Sequence, residues 1–238
     1  MGALIAAMVW LNAVEWWWLL LLVLMAISIL AYGSATLQSH FFVRTISRLS
    51  GKNELALTFD DGPHPNSHHI LDILKKHKAT ATFFCIGNQV QQHPEILTRI
   101  IAEGHDVGNH TQNHSTRWGF MNQTSVRREV EDCTKTLKEA GVEDIRFFRP
   151  PFGVTSPAIG KVLKASGLLT IGWDLRSLDT SIKSSDKLWQ RVASKIEGSS
   201  IILFHDTQAH TAGVLEKTLE YCEANGIKIV SLAHKIES

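Results

Sequence analysis

Basic residues are missing from the first 43 positions of this 238-residue chain: all 24 Lys and Arg lie from Arg44 onward. That absence removes the cationic n-region of a secretory signal peptide. Cysteine is scarce as well. Cys85, Cys133 and Cys222 are odd in number and widely spaced, so they make neither a disulfide framework nor a paired-cysteine zinc site. They read as buried small apolar residues. There is no charge excess either. From residue 53 onward the chain carries 21 basic and 22 acidic side chains, which leaves no electrostatic footprint for nucleic acid.

What is present divides into two materials. Residues 3–37 are almost wholly apolar, with Asn12 and Glu15 the main interruptions. Residues 16–32 carry no charge and need only a few more residues to reach the roughly 20 that span a bilayer. Trp16, Trp17 and Trp18 form an aromatic belt at the start of that run. We read residues 1–40 as a membrane anchor, 41–52 as a connector and 53–238 as a catalytic domain. By the positive-inside rule, Arg44, Arg48 and Lys52 would place that domain in the cytoplasm.

From residue 53 short apolar runs alternate with helical patterns. Strands are predicted at 54–59, 79–86, 145–148, 168–173, 200–204 and 227–230. Helices are predicted at 68–77, 94–102, 124–140, 156–165, 186–196 and 213–224. In the clearest, Val126, Val130, Cys133 and Leu137 recur at spacings of four, three and four. This alternation points to a parallel α/β architecture, whose sites lie at the C-terminal ends of strands.

Five clusters carry chemistry: Thr58-Phe59-Asp60-Asp61-Gly62-Pro63, His110-Thr111-Gln112-Asn113-His114, Arg149-Pro150-Pro151-Phe152, the stretch from Trp173 to Asp179, and Leu203-Phe204-His205-Asp206. Adjacent carboxylates leaving a strand point different ways, so one of Asp60 and Asp61 can bind a metal while the other stays free as a base. His110 and His114, four apart, face the same way on a helical turn and can share one ion. Two imidazoles and a carboxylate leave a position open for water, as in catalytic zinc sites. Arg149, stiffened by two prolines, can hold a carboxylate through paired hydrogen bonds. His205 ends an apolar strand. His105 reads as a cap or brace of the His110 loop rather than a ligand, and the other eight histidines as ordinary.

In order, TFDDGP, HTQNH, RPPF, a Trp-x5-Asp segment and LFHD resemble the polysaccharide deacetylases with the NodB homology domain, carbohydrate esterase family 4. The resemblance covers residues 53–238. It implies a distorted, partly closed (β/α) barrel that removes N-acetyl groups from amino sugars with one divalent metal, commonly zinc. It further implies Asp60 as catalytic base, Asp61, His110 and His114 as metal ligands, Arg149 as the residue orienting Asp60, and His205 as general acid tuned by Asp179. Phe152 would supply a backbone N–H to the oxyanion, and Trp173 and Leu203 would line the acetyl pocket. Two positions depart from the family pattern: Phe152 replaces a common tyrosine, and Thr180 replaces a tryptophan that walls the sugar groove. The favoured substrate is an N-acetylated glycan such as peptidoglycan or a chitin-like polymer, which places the domain outside the cytoplasm, against the charge pattern. The alternatives are a deformylase or deacetylase of a lipid-linked sugar, and a non-catalytic carbohydrate-binding domain.

Overall fold

The computed structural model describes residues 1–237, with the side chains of residues 4, 5, 7–15 and 237 outside the description, so the polar interruptions at Asn12 and Glu15 are not described. Helix α1 (Gly2–Ala35) runs unbroken for 34 residues. Within it Trp16–Ala35, 20 residues, is long and apolar enough to cross a membrane, with a mean hydropathy of 2.2 over an 18-residue window. The side chains of residues 16–32 are exposed, so this helix stands away from the rest of the molecule.

The remainder alternates as predicted. In chain order come β1 (Thr45–Ile46), β2 (Glu54–Asp60), α2 (Ser67–Lys76), β3 (Ala81–Cys85), α3 (Gly87–Gln92), α4 (Pro94–Ala102), β4 (Asp106–Asn109), α5 (Gln123–Glu139) and β5 (Phe147–Phe148). Then follow α6 (Pro157–Ser166), β6 (Leu169–Ile171), β7 (Leu175–Arg176), α7 (Ser185–Ala193), β8 (Ser200–His205), α8 (Thr211–Ala224), β9 (Lys228–Ile229) and α9 (Leu232–Glu237). Asn122, Ser156 and Ser184 cap α5, α6 and α7 through side-chain oxygens, satisfying N–H groups the helices leave open.

The strands form one sheet in the order β1-β6-β5-β4-β3-β2-β8-β7, with β9 beside β2, and every ladder is parallel. Past β1, Arg48 bridges to Ser200 at the start of β8, next to the opposite edge. The sheet therefore curls into a partly closed barrel. Side chains alternate across it. Leu55, Leu57 and Phe59 face outward and join Ile202, Phe204 and Phe83 beneath the helices. The Phe59 ring stacks on Phe83 at 5.1 Å and Phe204 at 5.8 Å.

The intervening residues of β2 and β8 face the barrel interior in three levels, set by the pairs Ala56 with Ile201, Thr58 with Leu203 and Asp60 with His205. Ala56 and Ile201 pack with Phe84, Phe147, Ile171 and Leu232 of α9, an apolar floor. Two residues higher the same alternation delivers a carboxylate and an imidazole to the mouth. The ladder register alone places Asp60 beside His205.

Five elements exceed the sequence reading: β1, α3, β4, β7 and α9. All are short, and four or fewer residues of strand display no period. β1 lies within the stretch read as a connector, yet Gly172 N–H donates to the Ile46 carbonyl at 2.8 Å and the segment is part of the sheet.

Candidate active site

Arg149 is fully buried beneath the mouth, and its whole fork is engaged. Nε donates to the Ile171 carbonyl at 3.2 Å, Nη2 to the Gly172 carbonyl at 2.7 Å, and Nη1 to Thr58 Oγ1 at 2.7 Å and Asp60 Oδ1 at 2.8 Å. Its guanidinium carbon lies 4.1 Å from the centre of the Phe84 ring, a cation–π contact. Asp60 is buried with one oxygen fixed by this charge. The other, Oδ2, faces the imidazole of His110 at 3.9 Å.

Asp61 turns the opposite way because its backbone is left-handed, with φ of 76°. Its Oδ1 lies 3.5 Å from His110 Nε2 and 3.4 Å from His114 Nε2. One donor atom from each of these three residues falls within 4.8 Å of the others. The His110 Nδ1–H donates to the Arg149 carbonyl at 2.7 Å, which leaves Nε2 with its lone pair toward the cluster. This donor set suits a divalent cation with open coordination positions.

The two histidines do not share a helical turn, contrary to the sequence expectation. They sit in the loop after β4, and the left-handed conformations of Thr111 (φ 69°) and His114 (φ 48°) fold that loop so both rings converge, 4.9 Å apart. Asn109 Oδ1 accepts from Thr111 N at 2.8 Å, and Glu129 of α5 accepts from Asn113 N at 2.9 Å and Asn113 Nδ2 at 2.7 Å. His105 plays no part here. It lies at the opposite end of β4, accepting from Ala81 N at 3.3 Å and packing on Phe83, because the strand carries it away from the mouth.

At the end of β8, His205 Nδ1–H donates to Asp179 Oδ1 at 2.7 Å, and its backbone N–H to Asp179 Oδ2 at 2.7 Å. Thr211 Oγ1 also donates to Oδ2 at 2.8 Å. Burial by itself lowers the affinity of His205 for its proton. The bond to Asp179 and its charge, with Asp60 and Asp61 adding theirs, outweigh burial and raise the pKa to about 9. Asp179 is correspondingly lowered: burial opposes ionisation, and His205 overcomes it. The pair's stabilisation is fully present below the ordinary histidine value of 6.5 and is lost as pH rises through about 9. His205 Nε2 looks back at Asp61 Oδ2 across 4.0 Å.

Neighbours outside the proposed catalytic set hold the site in shape. His210, read as ordinary, lies 2.8 Å from the Asp179 carbonyl through Nε2. Asp206 is fully buried, is pushed up to about 7 by burial, and accepts from Ser67 Oγ at 2.6 Å. It abuts Gly62, where any side chain would run into its carboxylate, so glycine is required beside Asp61.

The apolar side of the mouth is built from Trp173 and Leu203, and the structure adds Leu37 to that cluster. Gly153, with φ of 69°, lets the Trp173 ring pass where a Cβ would stand 2.6 Å from it. Phe152 precedes it in a left-handed conformation, φ 59°, half exposed, with its ring 4.7 Å from that of His114.

Residues 48–171 match the profile described as polysaccharide deacetylase. A peptidoglycan-N-acetylglucosamine deacetylase of Bacillus cereus is 32% identical over 187 residues, covering 75% of this chain and 86% of that protein. A chitooligosaccharide deacetylase of Sinorhizobium fredii is 33% identical over 168 residues, covering 69% of this chain and 78% of that protein. Among solved structures, the Bc1960 peptidoglycan N-acetylglucosamine deacetylase superposes with a TM-score of 0.75 at 28% identity, covering 79% of this chain and 91% of that one. BA3943 of Bacillus anthracis, a CE4 family pseudoenzyme, also reaches 0.75, at 26% identity, over 81% of this chain and 68% of that one. With the fold, the site and these relatives in agreement, the chain belongs to the polysaccharide deacetylase family.

Proposed function

We propose that this protein hydrolyses the N-acetyl amide of amino sugars in a polysaccharide, peptidoglycan or a chitin-like N-acetylglucosamine polymer, and releases acetate. The observation that carries this reading is the convergence of Asp61, His110 and His114, with Asp60 3.9 Å from His110 and His205 4.0 Å from Asp61. Asp61, His110 and His114 would hold one divalent ion, zinc by the chemistry of the donor set. When bound, the ion supplies Lewis acidity toward the amide carbonyl and acidifies water.

The chain's own groups do the remaining work. Asp60 accepts the proton of the attacking water at Oδ2, the oxygen Arg149 leaves free. The Phe152 backbone N–H hydrogen-bonds the carbonyl oxygen as it becomes negative, a contribution of about 3–4 kcal/mol for such donors. His205 then delivers a proton from Nε2 to the departing amine, without which that group leaves poorly. Trp173, Leu203 and Leu37 shelter the acetyl methyl.

Acetate release from N-acetylglucosamine oligomers and peptidoglycan by the full chain in detergent tests the reading. Chelator treatment is expected to abolish release and zinc to restore it; release that survives with no metal bound would sink it. Asp179→Asn removes the charge that keeps His205 protonated. The alkaline limb of its rate–pH profile is expected to move toward acid by roughly 1–3 pH units, and an unmoved limb would rule out His205 as the acid.

For location, α1 supports membrane attachment and the polymer substrates favour an extracytoplasmic catalytic domain. Alkaline phosphatase fused at the C-terminus, active only outside the cytoplasm, is expected to give signal. A non-catalytic reading has the BA3943 relative in its favour. Against it, every position of the proposed set carries the reactive residue type.

A further inference from the structure

The end of the apolar helix is built into the active site. Trp16–Ala35 is 20 residues, which at 1.5 Å per residue is about 30 Å, the thickness of the hydrocarbon core. Leu37 comes two residues later and packs with Trp173 and Leu203, the apolar side of the mouth. Two Cα steps amount to at most about 7.6 Å. The headgroup layer on each side of a bilayer is roughly 5–7 Å deep.

The junction is not a loose tether. Thr155 N–H donates to the Ser34 carbonyl at 3.0 Å, and Thr155 Oγ1 donates to the Gly33 carbonyl at 3.4 Å. Thr155 lies three residues after Phe152. Gln38 Nε2 donates to the Trp173 carbonyl at 2.7 Å. The helix end thus holds both the Phe152 loop and Trp173. Around the same junction three phenylalanines are exposed, where a soluble surface gains nothing from them. Phe41 packs next to Gly33, Phe120 follows Gly119, which abuts Val154, and Phe152 edges the mouth. Exposed apolar rings at this level are side chains that bury at the boundary between headgroups and acyl chains.

We infer that the membrane-spanning helix holds the mouth of the site at the level of the lipid headgroups, and that the substrate is an N-acylated amino sugar carried on a membrane lipid. This rests on the deacetylase and membrane readings above, and it sets a lipid-borne sugar in place of the polymer proposed there. A site at that height meets sugars attached directly to a lipid phosphate and turns away from polymer lying further out.

The test uses the full chain in vesicles of phosphatidylglycerol and phosphatidylethanolamine. Nitroxide labels are placed at Phe120→Cys, beside the mouth, and at Lys78→Cys, before β3 at the far end of the barrel; the three native cysteines are buried. Power saturation with oxygen and a water-soluble nickel chelate is expected to place the first label among headgroups and the second in water. Acetate release from N-acetylglucosaminyl polyprenyl diphosphate in the same vesicles is expected to exceed that from chitotetraose by at least about 100-fold in kcat/KM, as confinement to one surface raises effective concentration. A label at 120 in bulk water overturns the placement, and chitotetraose used as well as the lipid-borne sugar overturns the substrate class. Depth is read without turnover, so failure of the deacetylase reading and failure of this placement are seen separately.

Discussion

Asp60→Asn is expected to lower kcat for acetate release by about 10²–10⁴-fold, the range lost with a positioned general base. The substitution is isosteric and keeps an oxygen for Arg149 Nη1, which now lies 2.8 Å from Asp60 Oδ1. It removes only the ability of the second oxygen to take a proton. Asp61, His110 and His114 are untouched, so the variant is expected to bind one zinc per chain as the parent does. Zinc content by atomic emission and acetate by coupled assay measure the two halves. A variant within tenfold of the parent would remove Asp60 from the mechanism. A variant that loses zinc would make it a ligand instead.

Arg149→Met carries the largest expected effect on stability. Arg149 is wholly buried and Asp60 nearly so, and a pair broken from one side strands a charge away from water. Such losses cost about 3–5 kcal/mol. For a chain of this size that corresponds to a fall of roughly 6–20 °C in Tm. The Thr58 hydroxyl and the Ile171 and Gly172 carbonyls lose their donor at the same time. Arg149→Lys is expected to fall in between, since one ammonium cannot reproduce a planar fork with four acceptors. The double variant Asp60→Asn/Arg149→Met is expected to recover part of the loss, because the stranded carboxylate is gone. Calorimetry of all three decides the matter. A single variant that melts within about 3 °C of the parent would mean the pair is solvated and this account of it is wrong.

The elements with a long period were legible from the residues. Val126, Val130, Cys133 and Leu137 mark one face of α5, and Pro94 marks the first turn of α4. The strands β2 and β8 were legible too as apolar runs, and their observed register accounts for Asp60 and His205 meeting. The geometry of the 110–114 loop was not. A spacing of four is shared by helices and by loops with left-handed residues, and only the backbone at Thr111 and His114 distinguishes them. Leu37 and His210 were missed for another reason. Leucine carries no chemical signature, and its partner Trp173 lies 136 positions along the chain. His210 acts on the carbonyl of Asp179, which no side-chain pattern records.

The left-handed backbone of the site has a consequence for how such a protein changes over generations. Asp61, Thr111, His114, Phe152 and Leu178 all have positive φ without being glycine. Each such residue costs of order 1–3 kcal/mol, held in place by its surroundings. The catalytic loops are therefore costly to keep. A lineage freed from selection for turnover moves downhill in folding energy as it relaxes these left-handed positions, and the barrel outlives the chemistry.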